Sequence, residues 1–311
     1  MVSLNLPGMG TFEENTSALV ELFRHRDPTG EEMGRIFRET FDQAYDGQHT
    51  GRFRPEDLSK TELAHIGSLV EINIRRHFAD VIDDGLKMDF RIADLEVDCK
   101  YSKAPFGWMI PLETVGNYAM LCHANEVSST FRVGFVYVTD DILNVGGNRD
   151  RKRTISLKGR EHIQWVWYDE PYPKNVLLHL HPDDAEFIME SRSGQERINN
   201  LFRVVQNQII PRGIIYTVAR QKDPMKRIRY NGGARSALLP EGILILGDYK
   251  RHTRIAEELG LPTAKDGDSV AVRVVETSPL FEGPVTEIDG RFWRIATQED
   301  PHEDAPVIPE S

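Results

Sequence analysis

Cysteine is scarce in this chain, and its scarcity excludes two classes of protein. The 311 residues include two cysteines, Cys99 and Cys122, which lie far apart and form no C-x-x-C spacing. Neither a disulfide framework nor a zinc site built on cysteine is therefore expected. Long apolar runs are also missing, and residues 1–10 lack the pattern of a signal peptide. We expect a cytoplasmic protein that makes no membrane contact.

Positive charge is also under-represented. The chain has 38 Lys and Arg against 49 Asp and Glu, which gives a formal net charge of −11. An evenly spread negative excess argues against a nucleic-acid partner, because phosphates require local positive potential. The charge is uneven, however, since Asp223 is the only acidic residue among the many lysines and arginines of residues 197–235. Such a stretch indicates either a DNA-binding face or a solvated basic surface.

Hydrophobic periodicity predicts a mixed α/β (α+β) chain, and the length favours two domains. Helices are predicted over residues 15–23, 30–45, from Ser59 or Thr61 to 78, and 195–208. Strands are predicted over residues 88–92, 95–101, 119–123, 131–139, 214–218, 242–246 and 270–275, the 214–218 segment being equally compatible with a helix. The aromatic and proline-bearing segment 165–174 suggests a domain joint, with domains at 1–165 and 174–311. The acidic tail after Pro301 is expected to be disordered.

The most informative segment is residues 87–101, which alternates with period two on both sides of Ala93-Asp94. The positions on one face are all apolar or aromatic, and those on the other face are all charged. If Ala93-Asp94 is a two-residue turn, the register is fixed, and Asp89 lies directly opposite Asp98. Lys100, two residues beyond Asp98, lies on the same face.

Two opposed carboxylates repel each other unless they share a proton or a cation. Carboxylate oxygens are hard ligands, which favour Mg²⁺, Mn²⁺ or Ca²⁺. A cation held by Asp89 and Asp98 beside the Lys100 ammonium suits phosphodiester hydrolysis. Glu71, on the preceding helix, is a candidate third carboxylate. The alternative interpretation is a half-buried hairpin with an ordinary solvated face, and the Asp-x8-Asp-x-Lys spacing alone leaves it open.

Longer motifs give these residues a family context. The chain resembles the NaeI-type restriction endonucleases, a branch of the PD-(D/E)xK nucleases, over nearly its whole length. The resemblance rests on TFDQAYDGQ (40–48), GSLVEIN (67–73), VDCK (97–100), MKRIR (225–229), GGARS (232–236) and PEGI (240–243). One departure is Ala44, where the familiar pattern has leucine. Asp89 is followed by Phe, so its alignment is the least secure.

The resemblance implies a homodimeric bacterial enzyme with two domains. The first would have a restriction-endonuclease-like core, a mixed sheet flanked by helices, and would cleave a GC-rich palindrome with Mg²⁺. The second would be a winged-helix domain with a helix-turn-helix like that of the catabolite activator protein, binding a second DNA site and activating cleavage. The catalytic set falls on Glu71, Asp89, Asp98 and Lys100, with the three carboxylates as metal ligands.

Within the basic stretch, Lys226, Arg227, Arg229 and Arg235 are the expected DNA contacts, because arginine can bind guanine edges bidentately. Two rival functions remain. One is a repair or recombination nuclease with the same core, acting on a DNA structure or mismatch. The other is a non-enzymatic winged-helix regulator, which would have no need to oppose two carboxylates.

Overall fold

A computed structural model describes residues 10–308 of the chain. The chain divides into two units and passes between them more than once. The first unit comprises residues up to Ala44 together with Leu58–Lys174, and the second comprises Tyr45–Asp57 together with the residues from Asn175 onward. Within residues 10–308, no helix is both long and apolar enough to cross a membrane.

The first unit is a six-stranded mixed sheet with helices. Its helices are α1 (Phe12–Arg26), α2 (Glu31–Tyr45, which ends one residue into the second unit) and α4 (Lys60–His77). Its strands are β1 (Asp83–Asp84), β2 (Phe90–Ile92), β3 (Leu95–Ser102), β4 (Tyr118–Asn125), β5 (Thr130–Tyr137) and β6 (Gln164–Pro171). The strand order follows the sequence from β1 to β6. Of the neighbouring strands in this sheet, β3 and β4 are parallel and the other pairs are antiparallel, so it is the mixed sheet that the family resemblance implies.

Local sequence signals fix where α4 begins and ends. Ser59 accepts a hydrogen bond from the Glu62 amide, and the Glu62 side chain accepts one from the Ser59 amide. This reciprocal pairing caps the helix, so Ser59 rather than Thr61 is the cap. Ile66, Val70 and Ile74 are buried, which turns one face of the helix inward.

Alternation along the strands gives the sheet two buried faces. One face packs against the helices through aromatic contacts, such as Phe23 with Phe78 and Phe135, both with ring centroids 5.2 Å apart. The other face is covered by loop segments that carry Trp108 and Ile110. Because both faces are covered, the side chains of Asp98 and Lys100 lie in partly enclosed surroundings rather than on an open surface.

The second unit combines short helices with a curled five-stranded sheet. Its helices are α3 (Gly47–Thr50), α5 (Val176–His179), α6 (Pro182–Met189), α7 (Gly194–Val204), α8 (Arg212–Ala219), α9 (Ala234–Ala237) and α10 (Lys250–Glu258). Its strands are β7 (Ile209–Ile210), β8 (Ile243–Leu246), β9 (Ser269–Thr277), β10 (Thr286–Ile288) and β11 (Arg291–Ile295). Strand β9 is central, pairing with β7, β8 and β11.

From α7 to β9 the elements follow the order helix, strand, helix, short helix, strand, helix, strand. The segment after α8 departs from a regular helix-turn-helix. It contains a 3₁₀ turn, Pro224–Arg227, followed by a loop and the four-residue α9. Gly232 in this loop has φ 81°, which a residue with a side chain adopts at a cost.

Two sequence predictions need correction, and one open alternative is decided. Residues 214–218, for which the sequence allowed either a strand or a helix, belong to helix α8, and their apolar side chains pack into a helical core. Helix α7 ends at Val204, four residues before the predicted end at 208. The tail after Pro301 is not disordered over its described part. Ala305 and Ile308 are buried, since the apolar residues among its prolines pack against the second unit.

The expected domain joint at 165–174 contains most of strand β6, and the chain enters the second unit after Lys174. Residues 46–55 contain the short helix α3 and belong to the second unit, although in the sequence they lie between two helices of the first.

Candidate active site

The hairpin formed by β2 and β3 has the register that the sequence predicts. Ile92 pairs with Leu95 and Phe90 pairs with Val97. The turn residues Ala93 and Asp94 have φ 48° and 64°. Positive φ at both central positions is the signature of a type I′ turn, whose twist matches that of the strands. The two-residue turn is therefore confirmed.

Asp89 lies one residue before β2, and its carboxylate turns toward β3. Its Oδ2 accepts a hydrogen bond from the Cys99 amide at 2.8 Å. The same oxygen lies 3.4 Å from Lys100 Nζ. The structure thus brings Asp89 beside the strand that carries Asp98 and Lys100.

Asp98 is 5% exposed and has both carboxylate oxygens engaged. Lys100 Nζ donates to Oδ1, and the Thr114 hydroxyl donates to Oδ2 at 2.5 Å. Burial raises the pKa of Asp98, and both of these donors oppose that rise because they stabilise the anion. The orientation of the buried Asp98 carboxylate is therefore set by two donors, Lys100 at Oδ1 and Thr114 at Oδ2.

Lys100 lies between the two carboxylates. Besides Asp89 and Asp98, its Nζ donates to the Cys99 carbonyl at 3.0 Å. Burial lowers the pKa of Lys100, but the charge and hydrogen bond of Asp98 together with the charge of Asp89 outweigh it, so that pKa is raised overall. The side chain is accordingly an ammonium at neutral pH.

Glu71 on α4 faces the same cluster. Its Oε1 accepts from Arg75 Nη2 at 2.7 Å, and the same nitrogen donates to the Asp89 carbonyl at 2.9 Å. Partial burial and the nearby charge of Asp89 both raise the pKa of Glu71. Arg75 therefore connects the helix carboxylate to the strand residue, and all four predicted residues meet in one region.

The donor chemistry of this region fits a hard divalent cation. The Asp89 and Asp98 carboxylates converge on a single positive charge, the Lys100 ammonium. Oxygen donors of this kind are the ligands that Mg²⁺ prefers. Among residues 10–308, no three His, Cys, Asp or Glu side chains are grouped closely enough to form a ready-made cage. The Asp89 and Asp98 carboxylates therefore fit as ligands of a divalent cation. Glu71 lies near them and is held by Arg75.

Of the predicted DNA contacts in the second unit, Lys226 and Arg229 are exposed. Arg227 is half-buried, and its Nε donates to Gln221 Oε1 at 2.5 Å. Two exposed cations and one partly engaged arginine thus remain on this part of the surface.

Arg235 has different surroundings. It is 6% exposed, and its Nε donates to the Ile245 carbonyl at 3.1 Å. Its guanidinium also lies over the Tyr249 and Tyr230 rings, at 5.5 and 6.0 Å from their centroids. These contacts hold Arg235 inside the second unit.

Sequence reasoning missed two residues of the first unit, Arg75 and Thr114. Arg75 follows Glu71 by four residues on a helix, and this spacing could have revealed the pair. Thr114 lies on a loop sixteen positions from Asp98. No periodicity links it to the hairpin.

Comparison with known proteins gives a consistent result. The family described as restriction endonuclease NaeI matches residues 17–304. The type II restriction enzyme NaeI of Lentzea aerocolonigenes is 41% identical over 290 residues, which cover 91% of this chain and 90% of the relative. Both matches span the two units. The chain therefore belongs to the NaeI family of restriction endonucleases, and by that membership it is a type II restriction endonuclease.

Proposed function

We propose that this enzyme hydrolyses phosphodiester bonds of double-stranded DNA in a Mg²⁺-dependent reaction at the site formed by Glu71, Asp89, Asp98 and Lys100. The observation that carries the proposal is the position of the Lys100 ammonium between two carboxylates. A structural ion pair needs one carboxylate for one lysine. The second carboxylate leaves negative charge that a divalent cation would neutralise.

Asp89 and Asp98 would hold the cation, with Glu71 as the third carboxylate. A bound Mg²⁺ lowers the pKa of a water molecule and stabilises the charge of the transition state. Lys100 keeps its proton at Nζ, and this fixed positive charge complements the negative charge that develops on the phosphate. Arg75 orients Glu71 and holds the Asp89 backbone beside it.

The substrate we propose is a GC-rich palindrome cleaved by a homodimer. A palindrome has two-fold symmetry, and a symmetric pair of subunits offers each strand an equivalent site. Sedimentation of the full chain is expected to give twice the mass of 35.5 kDa. A monomer with full cleavage activity would contradict the proposed dimer, and the proposed chemistry of the site would still stand.

The second unit, in this proposal, binds another copy of the DNA site and activates cleavage. Lys226, Arg227 and Arg229 are its proposed contacts, since they present charge at the surface, whereas Arg235 supports the segment from within. Lysine would contact phosphates, and arginine can contact either phosphates or guanine. Cleavage should then be faster on plasmids with two sites than with one.

Incubation of a supercoiled plasmid with the enzyme tests the reaction. With Mg²⁺, we expect a fixed set of fragments with the same end sequences, and with EDTA we expect intact plasmid. Intact DNA in Mg²⁺, Mn²⁺ and Ca²⁺ alike would contradict the proposed metal-dependent site. Fragments without common end sequences would contradict a fixed palindromic recognition sequence.

A further inference from the structure

A buried hydroxyl on a separate loop contacts the candidate site. Thr114 ends the 3₁₀ turn Leu112–Thr114, is 0% exposed, and donates to Asp98 Oδ2 at 2.5 Å. Asp98 in turn is buried on β3, and its other oxygen receives the Lys100 ammonium. Each carboxylate oxygen thus has its own donor, one from the same strand and one from outside it.

The segment that carries Thr114 is fixed by backbone hydrogen bonds at both ends. On one side, Ile110 exchanges hydrogen bonds with Arg153, at 2.8 and 2.9 Å. On the other side, the Gly116 amide donates to the Val138 carbonyl at 2.8 Å, and the Val138 amide donates to Asn117 at 2.9 Å. A donor on so constrained a segment can impose an orientation on its partner rather than follow it.

We propose that Thr114 is a positioning residue, whose hydroxyl fixes the Asp98 carboxylate so that Oδ1 stays directed toward Lys100, which also contacts Asp89, and toward the cation. This inference rests on the proposed metal-dependent function. A carboxylate has about four lone-pair sites, so one hydrogen bond from Thr114 leaves others for the metal. Its terminal torsion is soft, so without that bond the carboxylate could turn about the Lys100 contact that holds Oδ1.

A purely structural role is the competing explanation, because any buried hydroxyl needs a partner. The two explanations differ in what they predict for metal binding. A structural hydroxyl changes the stability of the fold and leaves the affinity of the folded enzyme for a cation unchanged. Removal of a positioning hydroxyl lowers that affinity, and the loss is about 10–100-fold when groups that orient metal ligands are removed.

The test is a Mn²⁺ titration of the full chain, followed by the electron paramagnetic resonance signal of free Mn²⁺. Thr114→Val keeps the shape of the side chain and removes the donor, and Thr114→Ser keeps the donor. We expect Thr114→Val to weaken Mn²⁺ binding by about 10–100-fold and Thr114→Ser to stay within about threefold of wild type. The Mg²⁺ concentration for half-maximal plasmid cleavage should shift in the same order.

Thr16→Val is the matched control. Thr16 is also a buried threonine of the first unit, and its hydroxyl donates to the Phe12 carbonyl within α1, away from the site. We expect this variant to bind Mn²⁺ as wild type does. In an Asp98→Asn background, Thr114→Val should produce no additional loss, because the group that it orients has already lost its charge.

Separate outcomes overturn separate claims. If Asp98→Asn weakens Mn²⁺ binding but Thr114→Val leaves it unchanged, the positioning role fails and the metal site stands. If wild type binds no Mn²⁺, the metal site and the positioning role fail together. An equal loss in Thr114→Ser and Thr114→Val would also overturn the role. Should Thr114→Val not fold, Thr114→Cys, with a similar volume and a weak donor, is expected to show an intermediate loss, and wild-type affinity in that variant would overturn the inference.

Discussion

The two charged segments of the sequence, the β2–β3 hairpin and the basic stretch 197–235, place their charges differently in the structure. At the β2–β3 hairpin, Asp89 and Asp98 both lie within hydrogen-bonding distance of the Lys100 ammonium. In the basic stretch 197–235, the charges disperse. Arg197 donates to three backbone carbonyls, and Arg203 forms a two-point ion pair with Glu241.

The difference follows from the regular backbone of the hairpin and the irregular path of the basic stretch. A hairpin with a two-residue turn fixes which side chains are neighbours, so charge on one face means charge in one place. The basic stretch crosses a helix end, a strand, another helix and an irregular loop, and nothing in its spacing controls where each side chain points. High charge density along a sequence is therefore weaker evidence for a shared surface than alternation within one regular element.

The strongest test of this contrast is the coupling between Asp98 and Lys100. We expect Asp98→Asn and Lys100→Ala each to reduce the rate of plasmid cleavage by about 10²–10³-fold or more, because each removes a fixed charge from the transition state. Because the two groups act together, the double variant should lose far less than the product of the single losses.

The matched control for these variants is Asp94→Asn, an exposed turn residue of the same hairpin with positive φ, which asparagine also tolerates. It should cleave at the wild-type rate, and the site variants should bind DNA as wild type does. If Asp98→Asn and Lys100→Ala lost DNA binding in parallel with cleavage, both residues would belong to folding rather than to the reaction.

A smaller effect separates two arginines of the basic stretch. Arg235→Ala leaves the Ile245 carbonyl without its donor, so we expect the free energy of unfolding to fall by about 1–3 kcal/mol. Arg229→Ala alters an exposed side chain, and its stability should stay within about 0.5 kcal/mol of wild type. Urea unfolding of the full chain measures both. Equal stability of the two variants would mean that the buried contacts of Arg235 contribute nothing.

The smallest expected effect concerns the exposed cations. Lys226→Ala and Arg229→Ala should each reduce the slope of log affinity against log salt by about 1, as expected when one phosphate contact is lost. Because these side chains act independently, the slope of the double variant should fall by about 2. Filter binding to a DNA fragment over a salt series gives the slopes. An unchanged slope in both variants would remove this surface from the DNA interface.

Much of the first unit could be predicted from its sequence. The period-two alternation and the Ala93-Asp94 turn predicted the register, and the capping signals at Ser59 and Thr61 predicted the start of α4 to within two residues. The segment 214–218 is one whose structure its own residues leave open. A short apolar run is compatible with either a strand or a buried helix, and the packing of the second unit made it helix α8.

The sequence by itself determined the contacts that local geometry dictates, namely the pairing across the hairpin and the shared face of Asp98 and Lys100. Only the tertiary structure decided that Thr114 holds Asp98 and that Arg235 is buried. The physical reason is that a strand ladder repeats with a fixed period, so sequence spacing translates into distance. Contacts between separate segments have no such period, and they depend on how whole elements pack.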